Sequence, residues 1–272
     1  MECCIRGIPV YYEQYGSGKP VLCIHGYSVD HRIMTGCLEP VLAGETGCRR
    51  IYLDLPGMGR TPSAPRIQNA DHMLEFLLAF IDAVIPPEES FLVVGESYGG
   101  YLTMGLIRSL RARIDGVMMI CPGLFKNQSG KVPEKRLIWR DEKFDLFKDD
   151  ADVEAFLNIA VMASPAIYEK YKADILPAIA VMDRDFFRQY GYWFSFDDEL
   201  AEIEFAKPST ILAGRQDHIV GYLGAFEVFA RFPRATFAVL DCAGHNLQIE
   251  NEPLFNLHVK DWIERVGLNA GR

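Results

Sequence analysis

This chain of 272 residues has no apolar stretch approaching the roughly 20 residues that a membrane-spanning helix needs. It has no run of lysine and arginine, and its formal net charge is −9. Neither nucleic acid nor an anionic membrane is therefore expected as a principal partner. Its seven cysteines are odd in number, and none stands in a CxxC or other zinc-binding spacing. Cys23, Cys121 and Cys242 fall in or beside expected strands, where a free thiol behaves as a small hydrophobe. The opening Met-Glu-Cys-Cys-Ile-Arg lacks the basic-then-apolar order of a secretory signal. Reduced thiols and a cytoplasmic setting are the expectation. There is no internal repeat and no low-complexity linker, so the domain plan has to come from the rhythm of elements.

That rhythm is regular at both ends of the chain. An antiparallel hairpin is expected over 2–15, then buried strands at 21–24, 50–53, 91–94, 117–120, 209–213 and 236–240. Helical patterns fall at 37–44, 69–84, after residue 97, and at 220–231 and 252–266. Strands alternating with helices imply a mostly parallel sheet with helices on both faces. The alternation stops near residue 124 and resumes near 206. Between them lie helical patterns, charge clusters and many aromatic residues. The expected organisation is a core of residues 1–124 and 206–272 with a helical cap inserted at 125–205. Some of the aromatics there are expected to line an apolar pocket over Ser97 and most to pack the cap, without the sequence telling which do which.

The most specific signal is Gly95-Glu96-Ser97-Tyr98-Gly99, between the strand at 91–94 and a helical pattern. Strand, Gly-x-Ser-x-Gly turn and helix together form the context of a nucleophile elbow. The two glycines let the arms of the turn approach, and Ser97 is held out at the carboxyl edge of the sheet. The Tyr98 amide, in the first turn of the helix, is then placed to meet an oxyanion.

A serine needs a base, and an imidazole acting as base needs a carboxylate to orient it. The acid expected is Asp217, just beyond the strand at 209–213, and the base is His245, just beyond the strand at 236–240. Parallel strands place these ends on one edge, so three residues far apart in sequence can converge. His218 adjoins Asp217 and is a poor rival base. Asp241 is a weak rival acid. His25 is expected to hydrogen-bond its own loop, and His31, His72 and His258 to lie at the surface. A Ser-His-Asp site of this kind needs no metal and no organic cofactor.

With His25-Gly26 after the third strand, the loop Asp54-Leu55-Pro56-Gly57-Met58-Gly59, the elbow, Gly214-Arg215-Gln216-Asp217 and Gly244-His245, the chain resembles the α/β-hydrolase superfamily. The resemblance implies an α/β fold with a mostly parallel eight-stranded sheet. It implies Tyr27, after His25-Gly26, as the second oxyanion amide. In some relatives the acid stands at the position of Cys121, and a thiol cannot serve, which favours Asp217. Glu96 departs from the histidine, asparagine or glutamine common before the nucleophile. It is expected either to hydrogen-bond beneath the elbow or to act on the substrate's polarity. The resemblance implies a serine hydrolase of a small or medium apolar carboxylic ester, acting on a small-molecule substrate. Hydrolysis of a carbon–carbon bond in a vinylogous diketone is the alternative within the enzyme class, with a cofactor-free haloperoxidase-like activity behind it. A ligand receptor retaining the triad is the alternative outside that class. For the esterase, kcat/KM is expected to rise through an apparent pKa of roughly 6–7 as the imidazole loses its proton.

Overall fold

The computed structural model describes residues 1–124 and 132–268. Its first part runs β1 (Glu2–Ile5), β2 (Ile8–Gly16), β3 (Lys19–Ile24), α1 (His31–Leu42), β4 (Cys48–Leu53), α2 (Ala70–Val84), β5 (Phe91–Glu96), α3 (Tyr98–Leu110) and β6 (Ile114–Ile120). A segment of short elements follows: β7 (Trp139–Arg140), α4 (Val153–Ile159), β8 (Met162–Ala163), α5 (Pro165–Asp174), α6 (Leu176–Val181) and α7 (Arg184–Gln189). The last part is β9 (Ser209–Gly214), α8 (Leu223–Phe229), β10 (Ala235–Leu240), α9 (Leu247–Glu250) and α10 (Glu252–Arg265).

Eight strands form one sheet in the order β1-β2-β4-β3-β5-β6-β9-β10. The hairpin β1–β2 and the β2–β4 pair are antiparallel, and every other pair is parallel. The inner strands are apolar without alternation because both faces are covered, as in Leu22–Ile24 of β3 and Val93–Val94 of β5. On one face Met73, Phe76 and Phe80 of α2 pack with α3; on the other, Leu38 of α1 packs with Val259 and Trp262 of α10. Each such side chain removed from water contributes on the order of 1.5–3 kcal/mol.

Register sets where the loops emerge. Ile24 of β3 pairs with Gly95 of β5, Glu96 with Ile120 of β6, Ile120 with Leu212 of β9, and Gly214 with Leu240 of β10. The loops carrying His25, Ser97, Cys121, Asp217 and His245 therefore leave one edge side by side.

Two local differences from the sequence expectations have physical reasons. Helix α1 begins at His31 rather than near 37. Its N-cap is Asp30, whose side chain accepts from the Arg32 amide. Gly36 and Pro40 weaken the helical pattern, but Gly36 leaves room where the Asp174 carboxylate of α5 packs, 2.4 Å from where a Cβ would lie. Residues 139–140 and 162–163 pair as a two-residue parallel ladder, too short to register as a pattern. The first residues of the expected cap, 125–131, lie outside the described ones. No helix among the described residues is long and apolar enough to cross a membrane.

Candidate active site

Ser97 stands between β5 and α3 with φ +49 and ψ −110, a conformation a residue with a side chain adopts only under strain. The turn is fixed by backbone bonds: the Ser97 amide donates to Ile120 O at 2.8 Å, and its carbonyl accepts from Tyr101 N and Gly123 N, each at 3.1 Å. The flanking glycines are sterically required. A Cβ on Gly95 would lie 2.4 Å from Gly99 O, and one on Gly99 would lie 2.1 Å from Ile24 O.

The three residues expected from the sequence meet. His245 Nε2 is 3.0 Å from Ser97 Oγ, and His245 Nδ1 is 2.9 Å from Asp217 Oδ2. All three are buried. Asp217 Oδ1 is held by the amides of Ile219 and Val220 at 2.9 and 3.0 Å, leaving Oδ2 for the imidazole. Burial works to raise the Asp217 carboxyl, but the imidazole beside it and these amide donors outweigh burial and hold it below the usual carboxylate range. For His245, burial works to lower the imidazole. Asp217, and behind it Glu96 and Glu250, overcome that and push it up to about 9.

The rivals lie elsewhere. His218 Nε2 faces Asn158 O at 3.2 Å, and Asp241 is exposed, accepting from Gln216 Nε2 at 2.7 Å. His25 is bound into its own loop: the Leu55 amide donates to Nε2 at 3.0 Å, so Nδ1 carries the hydrogen and donates to Gly26 O at 2.8 Å. His72 and His258 are half-buried on helices. His31 is a correction, because it is buried rather than at the surface. Its Nδ1 is 2.7 Å from Asp54 Oδ1, and Asp54 also accepts from the amides of His31 and Arg60. This links the 54–61 loop to the start of α1.

Two buried groups, Asp30–His31–Asp54 and Cys121–Asp217–His245, have the chemistry of metal donors. In both, the donor atoms already serve one another or the backbone. The Cys121 thiol is pushed well up by burial and donates to Gly244 O at 3.5 Å.

Sequence reasoning missed Glu250. This buried carboxylate of α9 accepts from the amides of Val161 and Gly244, each at 2.6 Å, and of Met162 at 3.4 Å. It pins the loop before His245 to β8. Its signal was faint: an acidic residue in the otherwise uncharged run Leu247-Gln248-Ile249.

Ser97, His245, Glu96 and Asn246 open into a cavity of about 930 Å³. Most of its remaining wall is apolar. Ile159, Ile175, Leu176 and Ile179 of the 132–205 segment contribute, as do Tyr171, Tyr192 and Trp193. The other aromatics of that segment mostly pack against one another, as Phe144, Phe156 and Tyr168 do, or on the sheet side, as Phe194 does on Tyr101. Tyr27, after β3, and Tyr98, at the start of α3, meet ring to ring at 5.6 Å.

A sequence model of the alpha/beta hydrolase family matches residues 21–256. The chain belongs to that family. It is 23% identical to the AB hydrolase superfamily protein YisY of Bacillus subtilis (strain 168), over 92% of this chain and 93% of YisY. Among solved structures, an alpha/beta superfamily hydrolase from Oenococcus oeni PSU-1 is 28% identical with a TM-score of 0.89, covering 98% of this chain and 99% of that one. A meta-cleavage product hydrolase from Pseudomonas fluorescens IP01 is 19% identical with a TM-score of 0.66, covering 97% of each chain. At that identity the likeness carries the fold and not the bond cleaved.

Proposed function

We propose that this alpha/beta hydrolase is a serine hydrolase of small to medium apolar carboxylic esters, acting through an acyl-enzyme. The observation that carries the reading is the Ser97–His245–Asp217 chain of hydrogen bonds at 3.0 and 2.9 Å, opening into a mostly apolar cavity. Ser97 Oγ attacks the ester carbonyl as His245 Nε2 takes its proton. Asp217 holds the Nδ1–H tautomer and stabilises the imidazolium. We assign the oxyanion to the Tyr27 and Tyr98 amides. His245 then protonates the departing alkoxide, and water cleaves the acyl-enzyme by the same steps in reverse order. Residues 1–124 and 206–272 form the core in this reading, and 125–205 form a cap that, with Val29, Ile33, Leu124 and Val220 of the core, supplies the apolar acyl-binding wall. The seven cysteines, all free, support a reducing compartment such as the cytoplasm.

A panel of p-nitrophenyl esters tests the reading. A cavity of about 930 Å³ is at the upper end for a small-molecule site, so kcat/KM is expected to climb from acetate to a medium-chain ester before falling. Ile179→Phe narrows the wall and should move the optimum to a shorter chain, by a several-fold change in relative kcat/KM. A flat profile with acetate preferred would count against an acyl pocket. Turnover of a vinylogous diketone without turnover of any ester would assign the triad to carbon–carbon cleavage. A ligand-induced rise in Tm without multiple turnovers would assign a receptor.

The pH profile is a second test. The base acts only when neutral, so activity rises with pH through the pKa of His245. The carboxylates around His245 raise that pKa to about 9, so the expectation from an ordinary imidazole, near 6–7, is revised upward. A kcat/KM that has already reached its plateau at neutral pH would show that the imidazole is not raised.

A further inference from the structure

Glu96 has no task in the steps above, yet it is the last residue of β5 and lines the cavity beside Ser97 and His245. It is buried, and its Oε1 stands 3.8 Å from His245 Nε2. Its Oε2 packs against Gly26, where a Cβ would lie 2.2 Å away, and has no well-formed hydrogen bond among the described residues.

We propose that the Glu96 carboxylate accepts a hydrogen bond from the water that deacylates the enzyme, orienting that water between itself and His245. This rests on the acyl-enzyme reading. His245 Nε2 takes one proton of the attacking water, so the water oxygen sits within hydrogen-bond reach of Nε2. An oxygen only 3.8 Å from Nε2 can be reached by the second hydrogen of the same water. The water oxygen bonds to the acyl carbon as its first proton passes to Nε2. The second hydrogen stays on that oxygen and points to Glu96. The tetrahedral intermediate then collapses, the bond from the acyl carbon to Ser97 Oγ breaks, and Oγ recovers the proton from Nε2. The product acid leaves with the water's oxygen and second hydrogen. The ionisation states agree with this role. Burial pushes Glu96 up to about 7, opposed by His245 and the Gly26 amide and aided by Asp217. Once ionised, the Glu96 carboxylate can only accept.

A carboxylate that merely stabilised the imidazolium would help acylation and deacylation alike. Water orientation helps only deacylation, and only by water. An alcohol has a single O–H, which goes to His245, and offers Glu96 nothing. The test therefore uses full-length protein, p-nitrophenyl butyrate and added methanol, with Glu96→Gln and Glu96→Leu compared at the plateau of their own pH profiles. Acylation, read as the p-nitrophenolate burst, should slow only by the share Glu96 contributes to the imidazolium, and by less than deacylation. Steady-state turnover should fall by about tenfold or more, and the ratio of methyl butyrate to butyrate should rise several-fold. That ratio is read only from molecules that turn over, so partial misfolding does not imitate it. Equal losses in burst and turnover with an unchanged product ratio would overturn the assignment, as would variants that behave as wild type. A wild-type protein that forms no acyl-enzyme with any ester would overturn the ester reading itself, and the water assignment with it.

Discussion

Ser97→Ala is expected to lose all labelling by a fluorophosphonate probe and to slow ester hydrolysis by about 10³-fold or more. Ser97 Oγ is the hydroxyl that His245 Nε2 contacts, at 3.0 Å, and it faces the cavity. Without it, the His245–Asp217 pair has no nucleophile to activate. The remaining rate over water would come from the oxyanion donors and from binding alone. The fold should survive. The φ of +49 is imposed by the close approach of Gly95 and Gly99 to their neighbours, and alanine meets that strain as serine does. Intact-mass measurement after probe treatment, beside a thermal melt of the same sample, checks both statements. An alanine variant that melts normally and labels at wild-type strength would remove Ser97 from the mechanism.

The fold was legible where burial on both faces made the sequence continuously apolar. Residues 91–94 and 117–120 have no other comfortable place than the middle of a covered sheet. Legibility failed where a tertiary contact overrode the local pattern. Gly36 reads as a break in α1, but it is the clearance for Asp174, a contact between residues 138 positions apart that no local window contains. The start of the helix was marked by Asp30, a good N-cap whose signal was masked by the interruptions after it.

The candidate site divides the same way. Ser97, Asp217 and His245 could be placed because each follows a strand, and parallel strands deliver such loops to one edge. The state of ionisation could not be placed. An imidazole with one carboxylate partner titrates differently from one with Glu96 and Glu250 also nearby; nothing local to 245 reveals Glu96, and the nearby Glu250 leaves only a faint signal. His31 failed for the mirror reason. Its sequence neighbours Asp30 and Arg32 suggest solvent, whereas its contacts are Asp54 and, 3.4 Å away, Glu13 from β2. Buried charge is set by what comes from elsewhere in the chain, and so it is the last property a sequence discloses.

Asp217→Asn is expected to lower kcat/KM by roughly 10²–10⁴ while leaving the fold intact. The amide keeps the shape of the carboxylate, and its oxygen can still accept from the Ile219 and Val220 amides. The group left facing His245 Nδ1 is then an NH₂, a donor. It favours the tautomer with hydrogen on Nε2, which cannot take the Ser97 proton. The negative charge that raises the imidazole and stabilises its protonated form is lost too. The variant should therefore be slower at every pH, and its remaining activity should titrate at a lower pH than in the wild type. Asp241→Asn is the control of matching chemistry. Asp241 is exposed and bonds Gln216, so its loss should cost little in kcat/KM. Rate–pH profiles of the two variants side by side decide between the acids. A crippling Asp241→Asn with a nearly silent Asp217→Asn would mean that the 2.9 Å contact to His245 is not the one that orients the base, even if Ser97 remained the nucleophile.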